Sequence, residues 1–244
     1  MGLRLIAPLE LCRNCGTMQD EKREERAELV AMLKRQGIVK SIEVERALLS
    51  VPRHEFVWPS MKRCAYEDTP LPLGETGQTI SAVHMVAIMD ELLQLRPGLK
   101  VLEVGTGSGY HAATVAEIVA PLSEPPQSWG HVYSLEIVEK LYEFARSNLE
   151  RTGYSSRVSV IMRDGSLGYQ EAAPYDRVLV TAAAPEIPPP LVEQLSPGGI
   201  IVIPIGEEHF FQELVVGVKT ESGKLRTSRK GGVAFVPLKG AYGW

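Results

Sequence analysis

The most chemically informative stretch of the sequence is a glycine-rich turn that follows an apolar run. Residues 101–104 have the composition of a buried strand, and three glycines at alternate positions, Gly105, Gly107 and Gly109, follow them directly. Glycines at such a turn clear side chains from the path of a ligand, and the helix that follows points its free N–H groups at the same place. The pattern therefore predicts a nucleotide-type ligand at residues 101–119, with a ligand-free tight turn as the alternative.

The register of the glycines separates the candidate ligands. A dinucleotide site has the pattern G-x-G-x-x-G, whereas Tyr110 occupies the place of the third glycine here. A nucleophile elbow has glycines two residues on either side of a serine, whereas the glycines beside Ser108 are immediately adjacent. The remaining pattern, E-x-G-x-G-x-G, resembles the first motif of Rossmann-like S-adenosylmethionine-dependent methyltransferases, with Glu103 as its acid. A carboxylate beside the turn favours a ligand that carries a sulfonium and an ammonium over one that carries a pyrophosphate.

Two acids after the following strands extend the predicted site. Glu136 ends the next strand and is placed to accept hydrogen bonds from both ribose hydroxyls of the cofactor. The alternative is a surface acid that the helix dipole favours at a helix start. Asp164 and Gly165, after the third strand, are placed for the adenine edge, with an ordinary Asp-Gly turn as the alternative.

Alternating strand and helix signals predict the elements that position these residues. Strands are expected at 101–104, 132–135, 158–161, 177–180 and 200–203, and helices at 21–35, 41–49, 81–95, 112–119, 138–151 and 190–195. This alternation predicts an α/β, doubly wound Rossmann-like fold with a mostly parallel sheet. Three further strands without intervening helices, at 213–218, 224–229 and 233–236, predict an antiparallel C-terminal edge. Residues 53–78 have no period, and the prolines in 120–129 indicate a surface insertion.

The predicted organisation is a flexible N-terminal arm at 1–20 and a single methyltransferase domain at 21–244, with a helical extension at 21–95. Cys12 and Cys15 form a C-x-x-C pair in the arm, but no second pair of ligands accompanies it. We therefore expect incidental thiols, no metal, and a cytoplasmic protein.

The net charge and the lengths of the apolar runs limit the classes of partner that are expected. The net charge is −4 and the basic residues are interleaved with acids, so nucleic acid is not expected to bind. No apolar run reaches the roughly 18–20 residues that span a bilayer, so neither a membrane segment nor a signal peptide is expected.

Four blocks of sequence closely resemble the protein-L-isoaspartate (D-aspartate) O-methyltransferase family. They are residues 66–81, which contain the family-specific Gly-Gln-Thr-Ile-Ser segment, the glycine turn, and residues 180–188 and 233–238. The resemblance begins at about residue 25. It implies a repair enzyme that transfers a methyl group from S-adenosylmethionine to the free α-carboxylate of L-isoaspartyl and D-aspartyl residues in damaged proteins and peptides. S-adenosyl-L-homocysteine is the second product, and the ester can close to a succinimide.

The resemblance also assigns roles to residues. It implies that Ser81 is the active-site residue, and physically its hydroxyl can only position the carboxylate or the cofactor. A carboxylate is already ionised at neutral pH, so no general base is needed. An N-cap for the following helix is the alternative role of Ser81. The implied cofactor contacts are Thr79, Ile80, His84, Glu103, Gly105, Thr106, Gly107, Glu136, Asp164, Gly165 and Thr181, and the implied substrate contacts are Ser81, Val233 and Phe235.

Several alternatives stay open from the sequence. For His84 alone, a satisfied, partly buried histidine is the favoured interpretation, and residues 233–238 could form a plain edge strand instead of a peptide-binding one. Lys239 stands where some relatives have a polar residue that contacts the cofactor, so that contact is not assigned to this chain. A methyltransferase for nucleic acid or small molecules would have an Asn/Asp-Pro-Pro-Tyr-type motif where this chain has residues 181–185. A non-catalytic module that binds damaged protein is the third hypothesis. We expect a monomer.

Overall fold

The computed structural model describes residues 17–207 and 211–244. Its helices are α1 (Thr17–Arg35), α2 (Ile42–Ser50), α3 (Val83–Leu93), α4 (Tyr110–Val119), α5 (Glu139–Arg151) and α6 (Pro189–Glu193). Its strands are β1 (Leu71–Pro72), β2 (Thr79–Ile80), β3 (Lys100–Val104), β4 (His131–Glu136), β5 (Val158–Met162), β6 (Tyr175–Val180), β7 (Leu195–Gly206), β8 (Gln212–Lys219) and β9 (Leu225–Val233).

The main sheet has the strand order β5-β4-β3-β6-β7-β8-β9. The pairs from β5 to β7 are parallel, and β8 pairs antiparallel with both β7 and β9. The chain moves outward from β3 through β4 to β5 and then returns to β6 on the other side of β3. Such a reversal of strand order leaves a crevice at the carboxyl ends of the strands, where ligands of open α/β sheets bind. The predicted fold, with its mostly parallel sheet and antiparallel C-terminal edge, is confirmed.

Both faces of the central strands β3, β6 and β7 are buried, which explains their continuous apolar runs. Val101 of β3 packs on one face with side chains of α1–α5, whereas Leu102 and Val104 pack on the other. The two-residue period of a strand requires this separation. The second face is covered by α6, by 3₁₀ turns within residues 165–172, and by residues 236–238.

Two N-terminal predictions differ in detail from the structure. α1 begins at Thr17 rather than at residue 21, and Cys12 and Cys15 lie outside the described residues. Residues 53–78 are not a structureless loop, because they contain 3₁₀ turns at Arg53–Glu55 and Pro59–Cys64 and the strand β1, which pairs with β2. One-turn 3₁₀ helices are too short to leave a period in the sequence.

The C-terminal third brings two further corrections. Leu195 belongs to β7, not to the helix before it. The separate strand expected at 233–236 does not form, because β9 ends at Val233. Residues 236–238 instead lie against Ala183, whose N–H donates to Val236 O at 2.8 Å and whose carbonyl accepts from Leu238 N at 2.7 Å. The insertion at 120–129 is a loop as predicted, apart from one 3₁₀ turn at Pro126–Ser128. Within the described ranges, no helix is both long enough and apolar enough to cross a membrane.

Candidate active site

The glycine turn lies at the point where the strand order reverses. Gly105, Gly107 and Gly109 have φ angles of +94°, +57° and +86°, a region that side chains with a Cβ rarely adopt. The turn is also fixed from β6, because Thr181 Oγ1 donates to Gly105 O at 2.6 Å. A Cβ at Gly105 would overlap that same hydroxyl oxygen. The sequence pattern therefore reflects both the backbone angles and the lack of space.

A cavity opens beside this turn. We call it the donor cavity. Its walls come from several parts of the chain that are distant in sequence. They include residues 78–81, the turn at 104–108 with the start of α4, the end of β4 with residues 137 and 138, Gly165, Thr181 and residues 236–239.

Glu136 presents a rigidly held carboxylate to the donor cavity. Its Oε2 accepts from Gly107 N, and its Oε1 accepts from Ile137 N and Val138 N, all at 2.9 Å. Burial raises the pKa of Glu136, and these backbone hydrogen bonds oppose that rise. Each carboxylate oxygen has two lone pairs, so capacity for ligand hydroxyls remains. The ribose role of Glu136 stays a prediction, and its position in the cavity wall agrees with it.

Glu103 does not line the donor cavity, contrary to its predicted direct role. It lies inside β3 with its side chain fully buried, and Ser134 Oγ donates to its Oε2. Ser134 Oγ is in turn 2.6 Å from Thr106 Oγ1, in the wall of the cavity. Burial raises the pKa of Glu103 to about 7, and its Oε1 has no hydrogen-bond partner in the described part of the chain. Any influence on the donor must therefore pass through Thr106 or through space.

Asp164 does not line the donor cavity, whereas its neighbour Gly165 does. Asp164 Oδ1 accepts from Ser166 N at 2.9 Å and from Ser166 Oγ at 2.7 Å, and its Oδ2 accepts from Ala241 N at 2.8 Å. Ser166 Oγ also accepts from Tyr242 N. Asp164 thus anchors the last residues of the chain, which we call the C-terminal clasp (residues 236–244). Asp164 is not part of the cavity wall, although its carboxylate, like that of Glu136, accepts three hydrogen bonds and keeps acceptor capacity. Its predicted contact with adenine stays a prediction.

Thr79, Ile80 and Ser81 line the donor cavity as predicted, and His84 does not. α3 begins only at Val83, and its N-cap is Ala82, so the interpretation of Ser81 as the helix cap is wrong. The Ser81 hydroxyl forms no hydrogen bond within the described residues, which leaves it free for a ligand.

A second concave surface, the acceptor groove, adjoins the donor cavity. Val233 and Phe235 line it, as the resemblance implied, and His84 lines it too. Gln212 fixes the groove backbone, because its side chain accepts from Phe235 N at 2.7 Å and donates to Phe235 O at 3.1 Å. The residues that line both cavities are Thr79, Ser81, Thr181 and Val236. The two surfaces therefore share a wall that includes Ser81.

Sequence reasoning missed a buried histidine in the wall of the donor cavity. His111, on α4, lines the cavity, and its Nε2 lies 3.1 Å from Oδ1 of the fully buried Asp90 on α3. Burial alone would lower the pKa of His111, but the charges of Asp90 and Glu103 raise it. The signal in the sequence was Asp90, an acid directly after the apolar run at 85–89 of α3.

Comparisons with known proteins agree with this geometry. The family model for protein-L-isoaspartate(D-aspartate) O-methyltransferase matches residues 23–243. The chain belongs to this family. A protein-L-isoaspartate O-methyltransferase of Hyperthermus butylicus is 59% identical over 222 residues, 91% of each chain. One of Methanopyrus kandleri is 54% identical over 228 residues, 93% of this chain and 97% of the relative.

Solved structures lead to the same family. A protein of Plasmodium falciparum described as a protein-L-isoaspartate O-methyltransferase, in complex with S-adenosyl-L-homocysteine, has a TM-score of 0.76 and 30% identity, covering 88% of this chain and 98% of that one. A second protein-L-isoaspartate O-methyltransferase has a TM-score of 0.78 and 32% identity, covering 89% and 67%. Membership in the family confirms the predicted enzyme class and S-adenosylmethionine as the methyl donor. A nucleic acid or small molecule as acceptor is not favoured.

Proposed function

We propose that this chain repairs damaged proteins and peptides by esterifying the free α-carboxylate of L-isoaspartyl residues, and of D-aspartyl residues, at the wall shared by its two cavities. The observation that carries the proposal is that a free serine hydroxyl, Ser81, stands where the donor cavity and the acceptor groove meet. A methyl group bound on one side and a carboxylate bound on the other would face each other there.

The reaction needs alignment more than it needs acid–base chemistry. S-adenosylmethionine supplies a methyl group on a sulfonium; a carboxylate oxygen forms a bond to that carbon as the S–CH₃ bond breaks, and S-adenosyl-L-homocysteine leaves. No proton moves, because the acceptor carboxylate is ionised at neutral pH. Orientation of two reactants in one site contributes up to roughly 7–11 kcal/mol of barrier lowering, which the chain would supply by holding both.

The proposed roles follow from the position of each group. The Ser81 hydroxyl donates a hydrogen bond to the acceptor carboxylate and fixes its approach. Backbone groups of Gly105 and Gly107 allow close contact with the donor, and Glu136 accepts from its ribose hydroxyls. Thr79, Ile80, Thr106, Gly165 and Thr181 complete the donor contacts, and Val233 and Phe235 contact the peptide.

The direct test uses labelled donor and paired peptides that differ only in Asp or isoAsp. We expect methyl transfer to the isoAsp peptide alone, and equal labelling of the Asp and isoAsp peptides would refute the proposal. Ser81→Ala is expected to lower kcat about 10-fold or more, since one hydrogen bond to a charged group contributes roughly 1.5–3 kcal/mol. Donor affinity, measured by calorimetry, should change little. Unchanged turnover in this variant would contradict the role of Ser81.

We also propose that the enzyme acts as a monomer in the cytoplasm and without nucleic acid. The scarcity of cysteine and the net charge of −4 support the location and the lack of nucleic-acid binding. Light scattering coupled to size-exclusion chromatography would test the monomer, and a dimer mass would refute it.

A further inference from the structure

The acceptor groove contains one titratable side chain that no step above uses. Among the residues that line the groove in the described part of the chain, only His84 carries a titratable group. The other polar side chains of its lining are the hydroxyls of Thr79, Ser81 and Thr181. A hydroxyl both donates and accepts hydrogen bonds, whereas an imidazole nitrogen that carries no proton only accepts. Among the described lining residues, His84 is thus the only one whose side chain can offer an acceptor that does not also donate.

Asp68 fixes the orientation of His84 from outside its helix. Asp68 Oδ1 accepts from His84 N at 2.9 Å and lies 3.0 Å from His84 Nδ1. The first contact supplies the helix-capping acceptor that Ala82, the N-cap of α3, cannot provide. In the neutral imidazole, the second contact places the proton on Nδ1, because a carboxylate needs a donor. Nε2 is then the acceptor, and within the described residues it has no partner.

The substrate has one feature that matches this arrangement. In an isoaspartyl residue, the free carboxylate and the backbone N–H are attached to the same carbon. In an ordinary aspartyl residue, a methylene group separates the side-chain carboxylate from that carbon. A donor hydroxyl and an acceptor nitrogen that line one groove, as those of Ser81 and His84 do, can therefore distinguish the two by the spacing of carboxylate and N–H.

We propose that His84 Nε2 accepts a hydrogen bond from the backbone N–H of the isoaspartyl residue while Ser81 donates to its carboxylate, with Asp68 as the residue that positions His84. The pair makes His84 a specificity-determining residue for the acceptor rather than a contact of the donor. This inference rests on the proposed function, because it assumes that the isoaspartyl residue occupies the acceptor groove.

The test is a double-mutant cycle in which the enzyme is changed at one side chain and the peptide is changed at one N–H. An isoAsp peptide is compared with a depsipeptide in which an ester oxygen replaces the N–H of the isoaspartyl residue. Wild-type enzyme should lose about 3- to 10-fold in kcat/KM on this exchange, the range expected for one hydrogen bond. His84→Phe, which keeps a ring without an acceptor nitrogen, should lose less than about 2-fold on the same exchange. Its KM for the donor should equal that of wild type.

Asp68→Ala provides the second arm, with Glu91→Ala as its matched control. Glu91 Oε1 accepts from Lys40 N, Ser41 N and Ser41 Oγ at the start of α2, so it too is a carboxylate that caps a helix from elsewhere in the chain. Asp68→Ala should reduce the sensitivity to the ester exchange as His84→Phe does, whereas Glu91→Ala should keep the wild-type sensitivity. If both His84→Phe and Asp68→Ala respond to the exchange as wild type does, the pair does not contact the N–H and the inference is wrong. Equal labelling of Asp and isoAsp peptides by wild type would instead overturn the proposed function itself.

Discussion

The buried carboxyl of Glu103 gives the sharpest prediction about stability. Its pKa is raised from 4.5 to about 7, first because burial penalises the charged form, and the His111 charge and the Ser134 hydrogen bond offset only part of that rise. Between these two pH values the folded chain holds a proton that the unfolded chain has released. Stability contributed by this site therefore falls as the pH rises from 4.5 through 7, and the loss is complete above the folded pKa.

Glu103→Gln removes this titration, so the variant should gain stability relative to wild type as the pH rises. With folded and unfolded pKa values of about 7 and 4.5, linkage gives a relative gain of about 2 kcal/mol between pH 5.5 and pH 8. The exchange also places an amide at the unpartnered Oε1 position, which costs roughly 1–3 kcal/mol at every pH. Because this cost does not depend on pH, only the pH dependence of the stability difference reports the ionisation of Glu103.

Chemical denaturation of both proteins at several pH values from 5 to 8.5 measures this difference in the free energy of unfolding. Glu139→Gln, which removes an exposed carboxylate, is the control. Because the charge of Glu103 also raises the pKa of His111, repeating the pair in a His111→Asn background separates the two titrations. A difference between Glu103→Gln and wild type that is constant across this range would refute the reasoning.

Three further predictions concern the site. Gly105→Ala should abolish detectable donor binding in calorimetry, because φ is +94° and a Cβ would overlap Thr181; Gly37→Ala, with φ +72° but open space around it, should bind normally. Asp164→Ala should release the C-terminal clasp, seen as faster proteolysis there and an approximately 10-fold weaker donor Kd as the clasp wall of the cavity is lost; unchanged protection would contradict this. Gln212→Ala should raise KM for the peptide but not for the donor, since its side chain holds the groove backbone; a higher KM for the donor alone would contradict it.

The fold class and the position of the donor cavity could be predicted because they depend on local patterns. Apolar runs, glycines and strand–helix alternation are readable residue by residue, and the rule that ligands bind where the strand order reverses then places the site. Glu136 and Glu103 differ in a property that these local patterns do not predict. Glu136 is the last residue of β4 and faces the cavity, whereas Glu103 is followed by one more strand residue and is enclosed by the sheet. The motif gives the spacing of an acid from the glycines but not the direction of its side chain.

Contacts between residues that are far apart in the sequence could not be predicted from it. Asp164 was predicted from its place after β5 to face adenine, but its carboxylate binds Ala241 N, 77 residues away. His84 was assigned with the donor contacts, yet its hydrogen bond with Asp68 turns it to the acceptor groove. Both cases depend on how the loop before α3 and the end of the chain fold back, which no periodicity encodes.

The separation of the two cavities has a consequence for which damaged proteins are repaired first. Among the described residues, those common to both surfaces are Thr79, Ser81, Thr181 and Val236, so an acceptor carboxylate must reach that shared wall to meet the methyl group. An isoaspartyl residue held inside a folded substrate protein reaches it only after its own segment opens. The apparent KM is then the KM for the open segment divided by the fraction of substrate molecules in which that segment is open. This fraction falls as the free energy of opening rises. Repair should therefore proceed fastest at termini and mobile loops, and a site whose opening costs about 3 kcal/mol should show an apparent KM roughly 100-fold higher.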